Sequence, residues 1–373
     1  MLRHLYLTLI LLAGALPSLS AQEFSATTIF KQGMEGYSTF RIPAIVATKS
    51  GTLLAFAEAR RDGLDDTGNI DLVMRRSTDG GETWSDMQIV WDDGRNCCGN
   101  PAPVVLRRSG RVVLAMTWNR GEDSEHAIMH RTSINSRRVF VTYSDDEGIS
   151  WSIPKDITDS TKLPSWTWYA TGPCHAIELR SRPYRGRIVV PCDHGAYNGK
   201  GSDYMAHLIY SDDGGASWHI GGIMQGGNES TVAECRDGSL MFNSRWQAGN
   251  ERFARHYAIG SQGGAQLGEV IRDPQLPEPV CQGAIIGYSK RGKPTDNLLF
   301  VNPASTKRRE KLTLRQSHDG GKTWDDGILI EPGFAAYSDL VVLRDGDVGI
   351  LYERGKRTPY EEIVFVRVAN ERL

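Results

Sequence analysis

The sequence predicts an all-β fold, specifically a β-propeller, on three observations. One turn motif recurs four times, each copy follows a short apolar or alternating run, and the chain is rich in glycine and tryptophan without long apolar helical stretches. Such short runs closed by Gly-rich turns read as strands. The 373 residues are 40% hydrophobic and 24% charged with a formal net charge of −2, which excludes a disordered tail, a coiled coil, a small disulfide-stapled domain and a strongly basic nucleic-acid binder.

The first element is a leader. Residues 1–21 carry basic groups at Arg3 and His4, an apolar run from Leu5 to Leu16 and small residues before Gln22, the pattern of a secretory signal peptide cleaved after Ser20 or Ala21. The run is shorter than the roughly 17–25 residues that span a bilayer, so the expectation is export to the periplasm or cell exterior, without stable membrane insertion. Residues 22–373 are then expected to form a single domain, since no Pro/Ser/Thr linker or low-complexity run divides them. All six cysteines (Cys97, Cys98, Cys174, Cys192, Cys235 and Cys281) fall in this part. An oxidising compartment permits bridges, and buried free thiols or one or two disulfides are both compatible with their spacing.

The repeats follow the pattern S-x-D-x-G-x-[ST]-W: Ser77–Trp84, Ser144–Trp151, Ser211–Trp218 and Ser317–Trp324, with starts 67, 67 and 106 residues apart. An Asp carboxylate can accept backbone N–H bonds in a tight turn, Gly permits positive φ, and Trp can cover the turn while packing on a neighbouring strand. Each loop has too few alternating oxygen ligands for calcium, so the motif reads as a fold-stabilising turn. Repeats of this size suit propeller blades, which cannot bury their faces alone. Six blades of about 58 residues accommodate the mature chain, the 106-residue interval holding a blade without the motif.

Tyr37–Ile45 reads YSTFRIPAI and contains FRIP. With the four Asp-box turns behind it, the chain resembles the exo-sialidase (neuraminidase) family of six-bladed propellers over essentially all of its mature length. The resemblance implies hydrolysis of terminal α-linked sialic acid, with sialylated glycans and free sialic acid as partners and no metal, organic cofactor or obligate protein partner. It also implies three arginines that grip the sugar carboxylate, which match Arg41 in FRIP, Arg245 in LMFNSRW and Arg309 in KRREKLTL, with Arg308 as a neighbouring alternate. Arginine suits such a role because its planar fork presents parallel donors to a carboxylate and stays charged.

The same resemblance implies a tyrosine nucleophile, matched by Tyr337 in GFAAYSDLVVL, and an activating glutamate, matched by Glu229 in GNESTVAEC, with Glu234 as a rival. A neutral phenol that surrenders its proton as it attacks avoids the repulsion a carboxylate would meet at an anomeric carbon already bearing one. The acid/base aspartate is expected in AFAEARRDGLDDTGNID, where the family pattern falls on Asp66, with Asp65 as the alternate and Asp62 and Asp71 as turn residues. Arg60 resembles a family arginine that borders the sugar, and Arg61 is a further candidate beside it. Asn100–Pro103 and Trp166–Leu179 look like pocket-rimming loops, the second departing from the family by Cys174 where glycine is usual. Trp166, Trp168, Tyr169, His175 and Tyr197 are candidate wall residues.

Overall fold

The runs ahead of the four repeated turns are strands, and each motif begins on the strand's last residue: Ile70–Ser77, Arg138–Ser144, Ser202–Ser211 and Glu310–Ser317. This computed structural model describes residues 24–247, 249, 251–289 and 293–373, so the expected leader, residues 1–21, lies outside the described residues. Within them the fold is all-β. Helix is confined to the short segments Glu125–Met129 and Thr158–Thr161 and a few 3-10 turns.

Four hydrogen-bonded sheets hold the described strands. In the seven-stranded one, Ala26–Lys31 pairs antiparallel with Glu362–Val368, joining the two ends of the described chain. Its long strand Ile328–Val342 pairs with Glu310–Ser317 over its first part and with Val348–Gly355 over its second. The eight-stranded sheet is joined across its middle by the single parallel bridge Ile70 to Cys97. Two five-stranded sheets, from Trp166 to Gln225 and from Gly227 to Pro277, complete the set.

The strands that face the centre are extensively buried, as is Leu53–Arg60 beside them. Thr39–Ala47 and Cys97–Val105 each bury all but the last residue, and strands covered on both faces tolerate little polar surface. Thr39–Ala47 packs on Cys97–Val105, which packs on Trp166–Thr171 and Ile177–Glu178; the latter meets Gly227–Glu234, and Ala284–Gly287 and Ile328–Val342 follow, the last returning to Thr39–Ala47. Five of these inner strands carry the same irregularity. Arg41/Ala44, Gly99/Ala102, Trp166/Tyr169, Gly227/Ser230 and Ala335/Ser338 each enclose one residue more than the strand opposite. A bulge of this kind bends the strand and re-aims a side chain. Ile42, at φ 59, and Asn100, at φ 52, sit inside two of them; a β-branched residue with positive φ is held against its preference.

The Asp boxes lie on the opposite rim of each sheet. In the first, Ser77 Oγ donates to Asp79 Oδ1 at 2.7 Å and Thr83 N donates to the same carboxylate at 3.0 Å, while Trp84 Nε1 donates to Gly81 O at 3.1 Å. Each box packs on a neighbouring strand through the glycine at its fifth position, Gly81, Gly148, Gly215 or Gly321. A β-carbon on Gly81, at φ 97, would lie 2.1 Å from the Phe365 ring, and one on Gly321 would lie 2.8 Å from Met241 Cε. The 106-residue interval contains a degenerate copy, GSQGGAQL, from Gly260 to Leu267: it follows strand Ala254–Ser261, keeps the positive-φ pair Gly263 and Gly264, and packs Leu267 where the others place tryptophan. All six cysteines are unpaired and buried, which selects free thiols over disulfides. Cys174 adopts φ 139, a region that favours glycine, which accounts for the glycine expected there.

Candidate active site

The bulged ends of the inner strands converge on a cavity of about 190 Å³, whose lining includes Arg41, Asp66, Glu229, Arg245, Arg309 and Tyr337. These residues come from positions up to 296 apart in sequence (41 to 337). Tyr337 is at the centre of the group. Its hydroxyl donates to Glu229 Oε1, Arg245 Nη1 donates to Glu229 Oε2 at 2.5 Å and to the phenol oxygen at 3.1 Å, and the guanidinium carbons of Arg41 and Arg309 stand 5.1 Å and 5.3 Å from the Tyr337 ring centre.

Glu353, which carries no family signal in the sequence reading, organises this end. Its carboxylate accepts from Arg41 Nε at 2.7 Å, from Ile42 N at 2.9 Å and from Tyr337 N at 3.1 Å. It thereby ties the bulge after Arg41 to the bulge at Tyr337, and it explains why Ile42 is held at positive φ. Arg309 is fixed by Tyr360 Oη at 3.0 Å and Val280 O at 3.1 Å. Burial, reinforced by the nearby Glu229 charge, pushes the Tyr337 phenol well above its ordinary range, against the pull of Arg245 and Arg309. The phenol is therefore neutral near pH 7, with an acceptor already in contact.

Asp66 reaches the cavity from the loop after Leu53–Arg60, its side chain 54% exposed, and accepts from Arg60 Nη2 at 2.6 Å. Burial would raise its pKa, but Arg60, Arg41 and Arg137 outweigh that and hold it below the usual aspartate value. Arg60 is itself 2% exposed and does not line the cavity; it spans Glu58 and Asp66 and donates to the carbonyls of Leu64 and Asp65. It is placed to set the loop, behind the position where a sugar-bordering residue was expected. The alternates lie elsewhere. Asp65 contributes only its carbonyl, Arg61 bonds Tyr37 Oη and Asp71, and Arg308 is an exposed partner of Glu310. Glu234, the rival base, accepts from the N–H groups of Arg180 and Ser181 and is absent from this cavity.

Much of the remaining wall comes from Asn100, Glu125, Arg137, Trp168, Asp193 and Tyr204, with Glu58, Asn228 and Gln247 beside them. Asn100 Oδ1 accepts from Arg137 Nη2 at 2.7 Å, Arg137 stacks on Trp168 at 3.9 Å, and Tyr204 Oη donates to Glu125 at 2.6 Å. Of the five aromatic candidates only Trp168 lines the cavity. Trp166 stacks on His194 and Tyr169 bonds His207, both within the core, Tyr197 carries Arg131, and His175 bonds Asp339. The bulge between Trp166 and Tyr169 explains the split: it interrupts the strand's alternation, so Trp166 and Tyr169 share the core while Trp168 faces the cavity. Glu58, Glu125, Arg137, Asp193, Tyr204 and Glu353 went unread in the sequence because isolated charged and aromatic residues carry no pattern of their own.

Comparison with known proteins agrees with this architecture. Residues 51–350 match the BNR repeat-like domain model. The chain is 33% identical over 343 residues to a sialidase of Micromonospora viridifaciens, covering 88% of this chain and 52% of that protein. It is 31% identical over 344 residues to an exo-alpha-sialidase of Arthroderma benhamiae, covering 85% of this chain and 78% of that one. The chain belongs to the sialidase (neuraminidase) family. Among solved structures, Hadza microbial sialidase Hz136 superposes with a TM-score of 0.82 at 29% identity, over 93% of this chain and 69% of that one. The chain spans about half the length of the Micromonospora sialidase. Among the described residues, no group of three or more His, Cys, Asp or Glu side chains is arranged to hold a metal ion, and no helix is long and apolar enough to cross a membrane.

Proposed function

We propose that this chain is a retaining exo-α-sialidase that hydrolyses terminal α-linked sialic acid from glycoproteins, glycolipids or oligosaccharides. The observation that carries the reading is the contact between the Tyr337 hydroxyl and Glu229 in a cavity where three arginines surround the tyrosine ring. Arg41, Arg245 and Arg309 take the sugar carboxylate, an arrangement in which fixed forks of donors meet a planar anion. Tyr337 attacks the anomeric carbon, its proton passes to Glu229, and Asp66 protonates the departing glycosidic oxygen. Asp66 then takes a proton from water, whose oxygen replaces Tyr337 at the anomeric carbon, and the phenol recovers its proton from Glu229.

Asp66 must hold a proton in the first step although its arginine neighbours favour the ionised form in the free protein. A bound sugar carboxylate offsets the charge of Arg41, and the aglycone covers the exposed side of Asp66; both changes raise its pKa. The cycle uses no metal or organic cofactor. Residues 22–373 are read as one six-bladed catalytic propeller, exported behind residues 1–21. Two features support six blades. The eight-stranded sheet divides into two sets at its single parallel bridge, and the seven-stranded sheet divides into two sets that share Ile328–Val342.

Incubation with a fluorogenic α-sialoside should release free sialic acid, and proton NMR of the fresh product should show the α-anomer before mutarotation. Release of the β-anomer first, or an anhydro product by mass, would remove retention with hydrolysis from this reading. No release by folded protein from pH 4 to 8 would remove the activity.

A further inference from the structure

The inner strands run in one direction, so their later residues line a second cavity at the end remote from Tyr337. It measures about 470 Å³ and is walled by Ile45–Ala47, Val104, Val232, Ile286 and Leu340–Leu343. Its polar groups are unevenly charged: Arg107, Arg180, Lys293 and Arg344 against Glu178 and Glu234. Both carboxylates are already engaged. Glu178 accepts from Arg107 N at 3.0 Å and Nε at 3.2 Å, and Glu234 accepts from Arg180 N at 2.7 Å and Ser181 N at 2.8 Å.

Two lining side chains have buried polar atoms without a partner among the described residues: Arg180 Nη1 and His175 Nε2. His175 is 5% exposed, and its Nδ1 is 2.7 Å from Asp339 Oδ1, which fixes the ring with Nε2 left over. A buried donor left unpaired is unfavourable, so a guanidinium with an unpartnered N–H beside an apolar wall is a site that a ligand can improve. Burial and the proximity of Arg107 also hold the Arg180 guanidinium below its ordinary range, to about 10; a bound anion relieves both effects.

We propose that this second cavity binds a small amphipathic carboxylate, its head on Arg180 and its apolar body against the ends of the inner strands. The site is separate from the sugar cavity and goes beyond the proposed sialidase activity. Apolar walls with a few convergent polar groups are what such sites offer, and the excess of cations selects the anion.

Isothermal titration with sodium octanoate, octanol and acetate tests it. Octanoate should bind the native protein at least about tenfold more tightly than either octanol, which lacks the charge, or acetate, which lacks the body. Arg180→Met should weaken octanoate about tenfold while sialoside turnover stays at the native level, and Arg344→Met at the exposed rim serves as the second variant if Arg180→Met folds poorly. No octanoate binding at millimolar concentration, or equal binding by native protein and the folded variant, would overturn the proposal. So would displacement of octanoate by free sialic acid, because the anion would then occupy the arginine cavity.

Discussion

The Asp-box turns and the arginine cavity use the same residue types to opposite ends. In the turns, Asp79, Asp146, Asp213 and Asp319 bond to Ser and Thr groups within four residues, and each is held near pKa 2 at an exposed or half-buried position. In the cavity, Arg41 meets Glu353 across 312 residues and Tyr337 meets Glu229 across 108, all buried or nearly so. Local bonds in water are individually modest, whereas buried charge pairs are costly to leave half-made. A turn therefore shapes the fold piece by piece. The cavity exists only when the pieces have closed.

The largest expected effect that separates the two regions is on turnover. Tyr337→Phe should lower kcat on an α-sialoside by roughly three orders of magnitude or more while the arginines still bind free sialic acid; near-native turnover would break the assignment of Tyr337. Asp79→Ala, at the other extreme of the fold, should leave kcat within about twofold once folded, so a large loss there would erase the distinction between scaffold and site. Next, Arg41→Met should cost about 3–5 kcal/mol of stability in denaturant unfolding, because Glu353 is left charged and buried, as well as substrate affinity. Glu353→Gln made in the same background should recover part of that stability. No recovery would mean that Arg41 and Glu353 act independently.

Gly81→Ala should destabilise by about 1–3 kcal/mol without altering KM, since the methyl meets Phe365 and the backbone is at φ 97. A smaller effect concerns pH. His194 is depressed to about 3 by burial and then by Lys162, and His207 lies well below its usual value for the same first reason. Groups whose folded pKa is lowered from 6.5 bind more protons when unfolded, so their contribution is present above pH 6.5 and lost as pH falls from there toward 3. The Asp boxes act lower: their contribution is complete above 3.8 and is lost as pH falls toward 2. Thermal melts should show His194→Gln flattening the upper window and Asp146→Asn the lower one. A single acid transition untouched by His194→Gln would contradict the buried neutral pair.

The Asp boxes were legible because each is a complete local instruction, carboxylate, glycine and tryptophan within eight residues. Arg41, Asp66, Glu229, Arg245, Arg309 and Tyr337 were legible only through a family pattern, and the structure brings all six to one cavity. Glu353 and Asp193 were not, since a lone acid in an apolar strand reads the same whether it braces a bulge or simply faces solvent. The aromatic wall was over-read for a related reason: Trp166, Trp168 and Tyr169 look alike in sequence, and only strand register decides that Trp168 faces the cavity.

The sequence by itself determined the all-β class, the positions of the turns and a list of candidate groups, because hydrogen bonds within a turn and alternation within a strand need only neighbouring residues. Tertiary structure decided which of Asp65 and Asp66, Arg308 and Arg309, or Glu229 and Glu234 enters the cavity, and that Arg60 stands behind it. Those choices turn on bulges one residue long and on buried charges paired across distant strands, and neither acts until the sheets pack together.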